Sequence, residues 1–177
     1  MRTLTTIGLF ALGYLFVSPA AHAMCNLSFG TVPQFQWQGG GSGYNPFDLT
    51  TYNQEGRIDV RNRGSGSCQY FVTVSEGNSN DFNRYLDAHG RQLPYNIFDD
   101  VSQSNILKKL PTATINEILV GSFSIKETQR LTYSISIPPG SILERGTYRD
   151  QVTLRLYEGT LASPFLKKTK TLSLRAP

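Results

Sequence analysis

Histidine is nearly missing from this chain of 177 residues, which holds two histidines and two cysteines. The histidines are His22 and His89, too few for a multi-histidine metal centre and poorly supplied for a Ser-His-Asp constellation. His89 precedes Gly90 in what reads as a turn, so a solvated loop histidine is expected there. Long apolar runs are lacking as well. The stretch Ile7 to Val17 is too short to span a bilayer, and nothing later approaches the required length. The sequence has no helical stripe of three turns, no internal repeat, and no phosphate, dinucleotide or calcium motif. The glycines of Gln38-Gly39-Gly40-Gly41-Ser42-Gly43 have neither the lysine nor the following helix that a phosphate cradle uses. They read as a loop.

What is present begins with an export signal. Arg2 gives a positive start, Ile7 to Val17 an apolar core, and Ala21-His22-Ala23 a small-x-small cleavage site. Residues 1–23 are therefore set apart as a signal peptide and 24–177 as one mature domain, long enough to bury a core. Cys25 follows the cleavage site, but His22 and Met24 do not suit a lipoprotein signal. Removing Arg2 lowers the formal net charge from +4 to +3, with no long basic run and hence no nucleic-acid stripe. Export into an oxidising compartment and a single possible pairing predict a Cys25–Cys68 disulfide. Such a bridge stabilises by roughly 4 kcal/mol in the chain-entropy account.

From Cys25 onward the apolar and polar residues tend to alternate, with Gly, Pro, Asn and Ser clusters between runs, the texture of an all-β sandwich. The clearest strand is Tyr148 to Tyr157, where Tyr148, Val152, Leu154 and Leu156 share one parity. Weaker patterns predict strands at Asn26 to Thr31, Arg57 to Arg61, Gln69 to Ser75, Tyr95 to Phe98, Ile118 to Ile125, Leu131 to Ile137 and Phe165 to Leu174. Asn78 to Arg84 is polar without a period and reads as a loop. Asn105 to Leu110 reads as a single helical turn stopped by Pro111.

The chemistry-bearing candidates are few, and no catalytic, cofactor-binding or metal-binding residue is assigned. Asp99-Asp100 is the one adjacent carboxylate pair, but neighbours on a strand point to opposite faces, so a solvated turn is the expectation. Lys167, Lys168 and Lys170 lack interleaved aromatics and read as solvated lysines on a sheet edge. Trp37, Tyr44, Phe47 and Tyr52 surround the glycine run and form a candidate surface-binding set, the basis of an alternative reading as a self-contained carbohydrate-binding module. A small hydrolase would need carboxylates brought together by folding, and an enzyme is not expected.

One stretch carries a resemblance. Gly146-Thr147-Tyr148-Arg149-Asp150-Gln151-Val152-Thr153-Leu154 looks like the closing Gly-x-Tyr-x-Asp and alternating strand of the spore coat protein U domain family. It is supported by Cys25, Gly56 to Val60, Cys68, Tyr70 to Ser75, Arg84 and Leu93-Pro94-Tyr95-Asn96-Ile97-Phe98 in the same order. In one departure, Cys68 follows Arg61 to Ser67, farther from the preceding strand than the family pattern places it. The resemblance implies an immunoglobulin-like β-sandwich lacking its last strand, completed by a strand from a periplasmic chaperone and then from another subunit. It further implies an archaic chaperone-usher pilus, an outer-membrane usher as partner, a cell-surface location, and a role in attachment and biofilm formation. The donor-strand groove is expected between Leu27 and Phe29 on one side and Leu172 and Leu174 on the other. Because only Met24 stands between the cleavage site and Cys25, the chain is expected to receive a strand without donating one, as a tip or minor subunit.

Overall fold

The computed structural model describes residues 25–36, 52–140 and 146–176. The predicted signal peptide and Trp37, Tyr44 and Phe47 lie outside the described residues. Two packed sheets make up the fold, an immunoglobulin-like β-sandwich. The first holds, in spatial order, β1 (Leu27–Phe29), β3 (Tyr52–Asn62), β9 (Thr128–Ile137) and β7 (Asn96–Phe98). The second orders β2 (Phe35–Gln36), β11 (Ser163–Ala176), β10 (Tyr148–Thr160), β4 (Cys68–Val74) and β8 (Leu119–Phe123). A hairpin of β5 (Tyr85–Ala88) and β6 (Arg91–Pro94) joins the second sheet where Asp87 pairs with Arg149. Among the described residues, no helix is long and apolar enough to cross a membrane.

Alternation decides which face each strand buries. On β10, Tyr148, Val152, Leu154 and Leu156 are buried while Arg149 and Gln151 are exposed, the predicted parity. Their core partners include Leu27, Ile58, Val60, Val72, Val74, Ile97, Ile135, Leu172 and Leu174. Gly56 shows why a strand interior can need glycine. Its register partner Tyr133 lays its ring across the bare backbone, and a Cβ at Gly56 would sit 2.3 Å from that ring.

Each predicted strand finds a counterpart, and two local expectations change. Asn105 to Leu110 is not helical; this segment is extended, with an Ile106 bridge to Phe98 and an N–H bond from Leu107 to Ile97. The strand preference of the residue before Pro111 and the open edge of β7 outweigh one turn of helix propensity. The segment before Cys68 is not a hairpin, because β3 and β4 belong to different sheets and residues 63–67 carry the chain between them. The side chain of Asn62 holds this crossing, accepting from the backbone N–H groups of Asn26 and Gly64 and donating to the carbonyls of Gly66 and Ile125. The β5–β6 hairpin and β2 are additions to the sequence reading.

Candidate functional site

Two regions stand out: a buried polar network at one rim and an incompletely paired edge along β1 and β11. The network is built by the residues of the Gly-x-Tyr-x-Asp stretch together with Arg84 and Tyr95. Asp150 shares the inward parity of its strand and is 2% exposed. Its Oδ1 accepts from the backbone N–H of Asn78 at 2.9 Å and of Gln151 at 2.6 Å, and its Oδ2 accepts from the Tyr95 hydroxyl at 2.5 Å. Gly77 permits that approach, since with φ +71° a Cβ there would lie 2.1 Å from the carboxylate. Burial pushes the Asp150 carboxyl above its ordinary range, against the hydrogen bonds that favour its charged form. Burial also raises the Tyr95 phenol, helped by the neighbouring carboxylate.

Arg84 is the other buried charge of this rim. Its Nε donates to the Ser75 carbonyl at 2.9 Å, Nη1 to Asn96 Oδ1 at 2.7 Å, and Nη2 to the Leu107 carbonyl at 2.6 Å. Desolvation pushes its pKa down to about 10. The guanidinium thus ties the end of β4, the start of β7 and the loop after β7 into one unit. With Nη2 also donating to the Val74 carbonyl at 3.4 Å, its partners are four neutral oxygens, three of them backbone carbonyls, so its role is to satisfy backbone.

The second region is defined by backbone. Among the described residues β1 pairs with β3 alone, and β11 finds a partner on its outer side only where Leu174 and Arg175 meet Phe35 and Gln36 of β2, in parallel. From Ser163 to Ser173 the outer edge of β11 has no ladder partner among those residues. Leu27, Leu172 and Leu174 lie directly beneath these edges and are each 1% exposed, and Phe29 is half-buried against the same core. Farther along β11 the inward positions become Lys170 and Lys168, opposite the buried Leu154 and Leu156. Both lysines are exposed, so the interior opens at that end of the strand. Lys170 Nζ donates to the Gly30 carbonyl at 3.0 Å, reaching across to the end of β1. Lys167 is an extra residue at the register shift of β11 and pairs with Glu158 at 2.9 Å.

The predicted disulfide is present. Cys25–Cys68 joins the residue two before β1 to the first residue of β4, and so staples the edge strand β1 to the opposite sheet. Glu158 lies beside the two sulfurs, but bonded sulfurs offer no thiolate to a metal. His89 is exposed, with φ +56°, in a two-residue turn with Gly90 between β5 and β6. Asp99 accepts from Asn105 and Asp100 from Ser102, each closing its own loop, so the two carboxylates do not converge. Tyr52 opens β3, half-buried against the core. The sequence reading missed Asp150 as a buried charge, although a carboxylate at an inward strand position was a visible signal.

Several solved structures resemble this one in fold. The CupB6 tip adhesin of Pseudomonas aeruginosa is 12% identical, with 85% of this chain and 51% of that chain covered and a TM-score of 0.45. The CsuC–CsuE chaperone–tip adhesion subunit pre-assembly complex of Acinetobacter baumannii is 20% identical over 75% of this chain and 39% of that chain, with a TM-score of 0.45. The CooA pilin subunit of enterotoxigenic Escherichia coli is 15% identical over 85% and 97% of the two chains, with a TM-score of 0.44. The chain spans about half, or less, of the length of the first two. No curated protein sequence matches it. The match to a protein family is of a different order, extending over residues 11–155 and taking in both cysteines, Arg84, Tyr95 and Asp150; the chain belongs to the Spore Coat Protein U domain family.

Proposed function

We propose that this protein is a subunit of a chaperone-usher surface fibre, and that its working part is the edge formed by β1 and β11. The carrying observation is the outer side of β11 from Ser163 to Ser173, which has no ladder partner among the described residues, beside an interior that opens at Lys168 and Lys170. A free edge presents a row of main-chain donors and acceptors, and an extended segment of another polypeptide satisfies them by strand addition. A donated strand that continued the line of β2 would run parallel to β11. Its alternate side chains would cover the stretch over Leu154 and Leu156 that β11 itself leaves to lysines. Leu27, Phe29, Leu172 and Leu174 would form the closed end of that seat. The partners of this reading are a periplasmic chaperone, an outer-membrane usher and neighbouring subunits. Export by the predicted signal brings it to them, and attachment of cells to surfaces follows from display of the fibre.

The test is to place a photo-crosslinker on Thr171→Cys, exposed on β11, in the full chain secreted by its own cells. Surface fibres are then sheared off, and the crosslinked peptide is identified by mass spectrometry. The expected product joins β11 to an extended segment of a second polypeptide. Crosslinks only within the chain, or fibres that lack this protein, would overturn the reading.

A further inference from the structure

The outer face of the second sheet holds a feature that strand addition does not use. Arg149 on β10 and Arg175 on β11 are direct register partners, so their side chains rise from the same face. Directly opposed side chains in an antiparallel pair start only about 5 Å apart at Cβ, and like charges placed so are destabilising. Both arginines are exposed, and among the described residues neither guanidinium has an ion pair or side-chain hydrogen bond. Asp87 is the register partner of Arg149 across the β5 pairing, yet its carboxylate accepts from the Gly90 N–H and forms no ion pair with Arg149, and Asp150 is committed to Tyr95, Asn78 and Gln151.

The pair borders an open cleft of about 330 Å3, whose walls also carry Gln34, Gln36, Gln151 and Ser173. Arg149 also stands in the wall of a second cleft of about 630 Å3, with Asn78, Asp87, Thr147 and His89. Arg149 is thus common to both clefts, and the polar groove that holds both arginines is the first of them. We propose that this groove binds an acidic polysaccharide, with a sulfate or carboxylate group held between Arg149 and Arg175. Two guanidinium forks match an oxyanion in plane and number, and a bridging anion relieves the repulsion that the bare pair sustains. Amide and hydroxyl side chains along the groove suit sugar hydroxyls, and its volume of about 330 Å3 has room for more than one small anion. The groove meets β11 only at Ser173, Leu174 and Arg175, so loss of polysaccharide retention in the arginine variants and loss of the crosslink from position 171 are read separately.

The experiment is retention of the full secreted chain on immobilised heparin, polygalacturonate and neutral dextran at near-physiological salt. Binding to the two acidic polymers and not to dextran is expected. Arg149→Gln and Arg175→Gln should each weaken it tenfold or more, while Lys126→Gln, an exposed lysine between β8 and β9, should change it less than twofold. Urea midpoints of the two arginine variants should be unchanged or higher, which separates lost binding from lost folding. Equal retention of the arginine variants, or an equal loss with Lys126→Gln, would overturn the proposal. So would binding of free sulfate, seen by shifts of arginine Nε–H resonances, without retention on either acidic polymer.

Discussion

The rim around Asp150 and the edge of β11 solve opposite problems with the same chain. At the rim, each buried polar group meets several partners: three donors converge on one carboxylate, and one guanidinium spreads over three backbone carbonyls and an amide. Along β11 the side chains are ordinary threonines and lysines, and what is left open is main chain. The comparison teaches that the residues which mark the family are spent on rigidity. The edge proposed to meet a partner is written in residues outside that set. A firm rim lets the opposite edge stay unfinished without unravelling, because the disulfide and the network each hold a loop that strand pairing alone does not.

This contrast can be broken most sharply at Arg84. Arg84→Ala leaves the carbonyls of Ser75 and Leu107 without their donor in a buried site, and a loss of about 3–5 kcal/mol is expected in urea unfolding of the isolated domain. A loss below about 1 kcal/mol would show that the rim is not the rigid partner in the comparison. A subtler effect concerns acid. Because burial raises the Asp150 carboxyl above its unfolded value, the folded state binds that proton more readily. Its contribution is therefore greatest below the unfolded pKa, about 4, and declines as pH rises through the folded value. Against Asp150→Asn, which does not titrate, wild-type stability should fall relatively as pH is raised from about 4; parallel curves would contradict this. The smallest change in stability belongs to the edge. Thr171→Lys should move the unfolding midpoint by no more than about 0.5 kcal/mol, yet reduce incorporation into sheared fibres several-fold on immunoblots. Undiminished incorporation would remove β11 from the interface.

Much of the fold was legible because period-two alternation is a local property. The parity of Tyr148 to Leu156 required only counting, and the His89-Gly90 turn was visible as a glycine beside a residue tolerant of positive φ. The single pairing open to two cysteines made the disulfide readable too. Asp150 escaped because a lone carboxylate within an alternating strand looks like a surface residue until its donors arrive from Asn78 and Tyr95, 72 and 55 positions away. Asn105 to Leu110 misled because a short segment takes its conformation from the edge it lies against.

The sequence by itself determined that this is a strand-rich, disulfide-stapled chain of the Spore Coat Protein U domain family, since alternation, turn residues and cysteine count are properties of near neighbours. Only the tertiary structure decided that β3 and β4 part into different sheets, that Arg149 stands opposite Arg175, and that the outer side of β11 is largely unpaired among the described residues. Those outcomes depend on which distant strands lie side by side. Pairing is chosen by the burial of whole faces at once, a quantity that no short window of sequence contains.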